Sequence, residues 1–206
     1  YPDVYVGTLS YQYTRKPPKH VIPRDNVIVR LCSIECCFSH PLNDPNCGDN
    51  VAFCADLNGW KDICHRIYIW DYTTNYSHFL GPFPNFGVIQ KNIQFFAENN
   101  VRGIYEEGNY MAASSNGEFA ELRAYMLCKL LWDPYLDYDA VMNGFLKAYY
   151  GPGWQYVREY IDMTASHTGT GDNHMGIGEK MTSKAVLNLK PNEIAYCDDL
   201  WVKAAE

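Results

Sequence analysis

Four acidic side chains, Glu35, Asp71, Glu106 and Glu107, stand at the ends of apolar runs in this 206-residue sequence. Two carboxylates facing each other across a cleft are the minimum for hydrolysing a glycosidic bond. One protonates the leaving oxygen, and the other attacks the anomeric carbon or activates a water. Asp71 with either Glu106 or Glu107 is the best-placed pair, and Glu35 is the third candidate. Successive strand residues face opposite sides, so at most one of Glu106 and Glu107 enters any given cleft. Tyr11, Tyr13, Trp70, Tyr72, Asn75, Tyr105 and Asn109 cluster around these acids in sequence. Their rings and amides would complement the faces and hydroxyls of a sugar and are its expected binding residues. Each acid also has a structural alternative, pairing with Arg30 or Arg102 or capping the next turn.

The elements that must position these residues read as four strands: Val4 to Tyr13, Val27 to Cys36, Arg66 to Tyr72 and Val101 to Glu106. The second and third are nearly continuous apolar runs, as expected of parallel strands covered on both faces. Leu57, Trp60 and Cys64 share a helical face before the third strand, and Ile89, Ile93, Phe96 and Ala97 share one before the fourth. Ser115 and Glu118 form a capping-box pattern opening a helix from Glu118 to Leu131. The order strand, strand, helix, strand, helix, strand, helix predicts a parallel α/β sheet, in which ligands bind at the carboxyl ends of the strands. One link departs from it: Arg15 to Asn26 is Pro-rich without helical period, so the first two strands are joined by an extended crossover or form a hairpin.

After Pro134 only helical patterns remain. Asp137 is placed to cap a helix with the face Val141, Phe145, Ala148 and Tyr149, then Trp154, Val157 and Ile161 begin another, and Ile194, Cys197 and Trp201 a last one. A (β/α)8 barrel needs eight strands. The expected fold is therefore α/β, the C-terminal half of such a barrel with four parallel strands over residues 1–133, then a helical extension over 134–206. Tyr1 at the start and Ala-Ala-Glu at the end suit a piece of a longer protein. The inner face of such a half-barrel has to be covered. A homodimer is the favoured cover, and C-terminal helices folding back are the alternative.

Net charge −7 with no basic stripe argues against nucleic acid as partner, and no apolar stretch approaches the ~20 residues of a membrane helix. No targeting signal is present in this segment, which leaves the compartment unassigned. Tyr 17, Phe 9 and Trp 5 fit either a ring-rich core or a ring-lined cleft. Several of the eight cysteines, among them Cys32, Cys36 and Cys128, fall in apolar patterns and read as reduced small hydrophobes. No metal is expected: there is no CxxC pair, and Cys64-His65 and His40 lack a ligand spacing. No nucleophile elbow, Walker loop or dinucleotide fingerprint occurs, and Gly169, Gly171, Gly176 and Gly178 follow no strand, so no cofactor is expected.

The runs SYQYTRKPP (Ser10 to Pro18), PRDNVIVRLCSIECC (Pro23 to Cys37), IWDYTTNY (Ile69 to Tyr76), GPFPN (Gly81 to Asn85), GIYEEG (Gly103 to Gly108), ELRAYMLCKLLWDP (Glu121 to Pro134) and AYYG (Ala148 to Gly151) carry a family resemblance. Over most of Ser10 to Tyr160 the chain resembles a bacterial family, DUF4838, described as glycoside-hydrolase-like. That family's barrel is similar to those of α-glucuronidases and β-N-acetylhexosaminidases. The resemblance implies a carbohydrate-active hydrolase acting on an oligo- or polysaccharide, without a cofactor. It also implies a barrel in which a loop can replace a helix, as over Arg15 to Asn26. In such relatives an essential acid often ends the fourth barrel strand. If this segment begins at the fifth, that acid lies outside it and the segment alone is expected to be inactive. The alternative is a non-catalytic carbohydrate-binding or structural barrel module.

Overall fold

Short apolar runs form the strands of the computed structural model, which describes residues 3–110, 117–168, 173–180 and 187–206. Strands β1 (Val6–Ser10), β2 (Val27–Cys32), β3 (Ile67–Tyr72) and β4 (Gly103–Glu107) make one sheet in sequence order, each pair parallel. The expected α/β class and parallel order are present, and the strands are shorter than their apolar runs. The link from β1 to β2 is thus a crossover, without the hairpin alternative. Arg15 fixes it in place of a helix. Its Nε and Nη1 bind Asp56 and Glu35, each at 2.7 Å, and its carbonyl accepts the Trp60 indole N–H at 2.7 Å.

Helices α1 (Gly48–Lys61) and α2 (Phe86–Glu98) follow β2 and β3. Their buried Phe53, Leu57, Trp60 and Phe96 join Val29, Leu31, Ile67 and Ile69 of the sheet in one core. Burying such a side chain is worth about 1.5–3 kcal/mol, which makes this face the main support of the sheet. Register puts Val29, Leu31, Ile67, Ile69 and Asp71 on the helix-covered face. It puts Leu9, Arg30, Cys32, Tyr68, Trp70 and Tyr72 on the other, together with Tyr105 and Glu107. Leu9 and Tyr105 there are about half exposed. At Gly103 that open face has no room for a side chain, because a Cβ would lie 2.6 Å from the Tyr68 ring.

A second core joins α2 to α3 (Ala120–Trp132), α4 (Tyr138–Tyr150) and α5 (Trp154–Thr168) through Ile89, Ile93, Met126, Leu130, Met142 and Ile161. Helix α6 (Pro191–Ala205) packs on α5. The C-terminal helices therefore build outward from α2 and α3, and the alternative in which they roof the open face does not hold. Several helical faces are rotated from those the spacing suggested. Met142 and Leu146 are the buried residues of α4, Cys197 and Leu200 those of α6, and Ala97 and Cys128 are exposed. Asp137 caps α4 as expected, accepting the Ala140 N–H at 3.0 Å. Helix α3 starts at Ala120 after a left-handed Phe119, and Ser115 of the anticipated capping box lies outside the described residues. No helix among the described residues is long and apolar enough to cross a membrane.

Candidate functional site

The strand ends separate the four acids. Glu106 is register partner to Asp71, and Glu107 to Tyr72. Because side chains alternate, Glu106 joins Asp71 on the helix-covered face while Glu107 joins Tyr72 on the open face.

On the open face a hollow of about 420 Å³ lies at the carboxyl ends of the strands. Tyr11, Trp70, Tyr72 and Tyr76 line it with Cys32, and Glu107 is the acid in its wall. Glu107 is held at both ends. Its side chain accepts the Trp70 indole N–H at 2.5 Å, and its carbonyl accepts the Tyr76 hydroxyl at 2.5 Å, the Thr73 hydroxyl at 3.0 Å and the Thr73 N–H at 3.1 Å. Trp70 is itself braced edge-on by Tyr105, ring centroids 5.1 Å apart. Burial, reinforced by the Glu107 charge, raises the Tyr76 phenol and keeps it a hydrogen-bond donor. Burial likewise raises the Tyr72 phenol and lifts the Cys32 thiol to about 11, so these groups enter the hollow uncharged. One anchored carboxylate amid fixed rings and neutral hydroxyls is a surface suited to a flat, polar, uncharged or weakly charged ligand.

Asp71 lies beneath α2 and α3, beside Asn85, Asn92 and Leu127. Ser33 donates its hydroxyl to Asp71 Oδ1. Burial raises the Asp71 carboxyl to about 6, with the bonds from Ser33 and from its neighbour's backbone pulling the other way. Burial and then the Asp71 charge push Glu106 well above the usual range. Burial of the two acids beside each other thus disfavours a second negative charge on the pair. Glu106 also borders a larger cavity of about 560 Å³ between the end of β4 and α3, with Tyr105 and Asn109. The strongest charges there are already matched: Glu118 pairs with Arg123 at 2.7 Å.

The remaining candidates go elsewhere. Glu35 is spent on Arg15, an arginine other than the two considered as its partner. Tyr13 is 93% exposed on the crossover, outside the hollow. Asn75 is buried and organises a loop, donating to the Glu179 carbonyl at 2.8 Å and accepting the Ser77 N–H at 3.0 Å. The structure thus brings Tyr11, Trp70, Tyr72 and Glu107 together and adds Tyr76, Cys32 and Ile177. Tyr76 was legible as one more ring in the IWDYTTNY run, whereas Ile177 arrives from a distant loop with no local signal.

Residues 1–162 match the family described as Domain of unknown function (DUF4838), a span covering more than half of the chain. No curated protein and no solved structure matches the chain. The chain belongs to the DUF4838 family.

Proposed function

We propose that this chain is part of a carbohydrate-active (β/α)8-type barrel and that the open-face hollow takes a saccharide, with Glu107 as its acid. The observation that supports the reading is the hollow itself: three tyrosines and a tryptophan around one carboxylate anchored by an indole N–H, at the carboxyl ends of parallel strands. In barrels of this type helices cover the outside of the sheet, and ligands meet the inward-facing residues at that end. Here α1 and α2 cover one face, and Glu107 lies on the other.

Glycoside hydrolysis needs a second carboxylate across the sugar, so Glu107 serves as one of two. Asp71, expected from sequence to pair with Glu106 or Glu107, lies with Glu106 on the other face beneath the helices. A non-catalytic saccharide-binding module is the second reading. It is favoured by the fact that Glu107 is the one acid lining the hollow among the described residues.

Two assays test and separate these readings. The first is binding of an oligosaccharide panel by calorimetry, and the second is release of aryl groups from aryl glycosides and uronides. Hydrolysis abolished by Glu107→Gln supports the enzyme, and binding without hydrolysis supports the module. Absence of both in the longest natural form of the protein contradicts the saccharide reading.

A further inference from the structure

Away from the hollow, the loop after β2, the start of α1 and the segment 173–180 meet at four side chains, Cys37, His40, Cys47 and His174. One ligand atom from each, a sulfur or a ring nitrogen, lies within 4.8 Å of all the others. Cys37 Sγ is 3.2 Å from His40 Nδ1, and Cys47 Sγ is 3.5 Å from His174 Nδ1. Zinc–sulfur bonds of ~2.3 Å and zinc–nitrogen bonds of ~2.0–2.1 Å in a tetrahedron place ligand atoms about 3.3–3.8 Å apart. The four atoms therefore surround a zinc-sized centre after small adjustments.

We infer that Cys37, His40, Cys47 and His174 form a structural Cys2His2 zinc site. Binding replaces the two thiol protons by Zn²⁺ and leaves two thiolates, two neutral imidazoles and no net charge, which suits ligands of which three are buried. Two soft sulfurs with two imidazoles in tetrahedral array select zinc over hard cations such as Mg²⁺ or Ca²⁺.

The surroundings hold the ligands in place. Asn50 is fully buried, accepts the Cys37 N–H at 2.9 Å and donates to the carbonyls of Cys37, His40 and Pro41, each at 3.1 Å. This is the outer layer of bonds that fixes metal-binding loops. Cys47 is the N-cap of α1, so the start of that helix fixes its position. Asp49 stands at the rim, 3.7 Å from His174 Nδ1. Local spacing gave no hint of this site because His174 lies 127 residues beyond Cys47.

The zinc would clamp the 173–180 segment to the sheet. That segment already accepts the Phe38 N–H on the Met175 carbonyl and the Tyr76 N–H on the Ile177 carbonyl, both at 2.8 Å.

The test uses the untagged full chain, purified with reductant and without chelator, and metal analysis by mass spectrometry. One zinc per chain is expected, lost on Cys47→Ser or His174→Ala and kept on Cys128→Ser, whose cysteine is exposed on α3. Should the ligand variants aggregate, cobalt titration of the zinc-stripped wild type decides. Intense visible bands of four-coordinate cobalt with a thiolate charge-transfer band, saturating at one equivalent, are expected. A pale six-coordinate spectrum, zinc retained by both ligand variants, or a metal-free chain carrying a Cys37–Cys47 disulfide would overturn the assignment.

Discussion

Glu106 and Glu107 are adjacent in sequence, identical in chemistry and opposite in circumstance. Glu106 faces α2 and α3 beside Asp71, and burial pushes its carboxyl well above the usual range. Glu107 faces the hollow, fixed by an indole N–H and ringed by tyrosines. The two faces of this sheet are built for different ends. The helix-covered face holds the fold together and buries two acids, whereas the open face gathers rings and one acid around a hollow. A raised carboxyl pKa, often a pointer to catalysis, here marks the two acids of the covered face. Geometry is the better guide to which acid meets a ligand.

That contrast is open to breaking. The largest effect is expected for Ile69→Ala, which empties a fully buried position on the covered face. It should cost about 2–5 kcal/mol in denaturant unfolding while leaving saccharide affinity unchanged. A loss below about 1 kcal/mol would mean that the covered face is not the main support.

The Asp71–Glu106 pair predicts an acid-favoured stability. Its folded carboxyls titrate above their unfolded values, so the folded state holds protons that the unfolded state has released. Asp71's share of the stabilisation is then fully present below about pH 4 and is lost as pH rises through about 6, the value to which it is raised. A raised value of about 6 corresponds to roughly 2–3 kcal/mol over that window. Asp71→Asn keeps an acceptor for Ser33 and should flatten the slope, which unfolding curves at several pH values between 4 and 7 would reveal. An unchanged slope in the variant would remove the pair from this role.

Smaller in stability but larger in function is Trp70→Ala. The ring is half-buried on the open face, so unfolding free energy should fall by only about 1–2 kcal/mol while saccharide affinity drops at least about tenfold. Tyr105→Ala should be the mildest. It removes the half-exposed ring that braces Trp70, at about 0.5–1.5 kcal/mol or less. Equal losses of affinity from Ile69→Ala and Trp70→Ala would erase the distinction between the faces.

The sequence carried much of this, and its silences have physical causes. Apolar runs pointed to the strands, and their alternation with helices set parallel order, because near-continuous apolar strands such as VIVRLC and IYIWDY are typical of parallel sheets. Those same runs are apolar on both faces and so concealed which parity points outward. Asp71 was thus grouped with Glu106 or Glu107 alike. Glu35 looked like a strand-end acid until the crossover brought Arg15 to within 2.7 Å of it. Tyr13 and Asn75 were chosen by chemistry alone, and only the backbone path shows one facing solvent and the other binding its own loop. Rings and hydroxyls at Tyr11, Trp70 and Tyr72 were legible because they end strands whose direction was already set. The Cys37, His40, Cys47 and His174 cluster was not, since its last member comes from a segment beyond the four helices α2 to α5.

The central claim is that the open face binds the ligand and the covered face does not. Glu106→Gln and Glu107→Gln test it most directly, because they are neighbouring, near-isosteric changes on opposite faces of the sheet. Calorimetric titration of both variants and the wild type with the best-bound saccharide of the panel is the measurement. The account predicts wild-type affinity for Glu106→Gln and a loss of at least about tenfold, ~1.4 kcal/mol, for Glu107→Gln. The reverse order, or equal affinity in all three proteins, would contradict it.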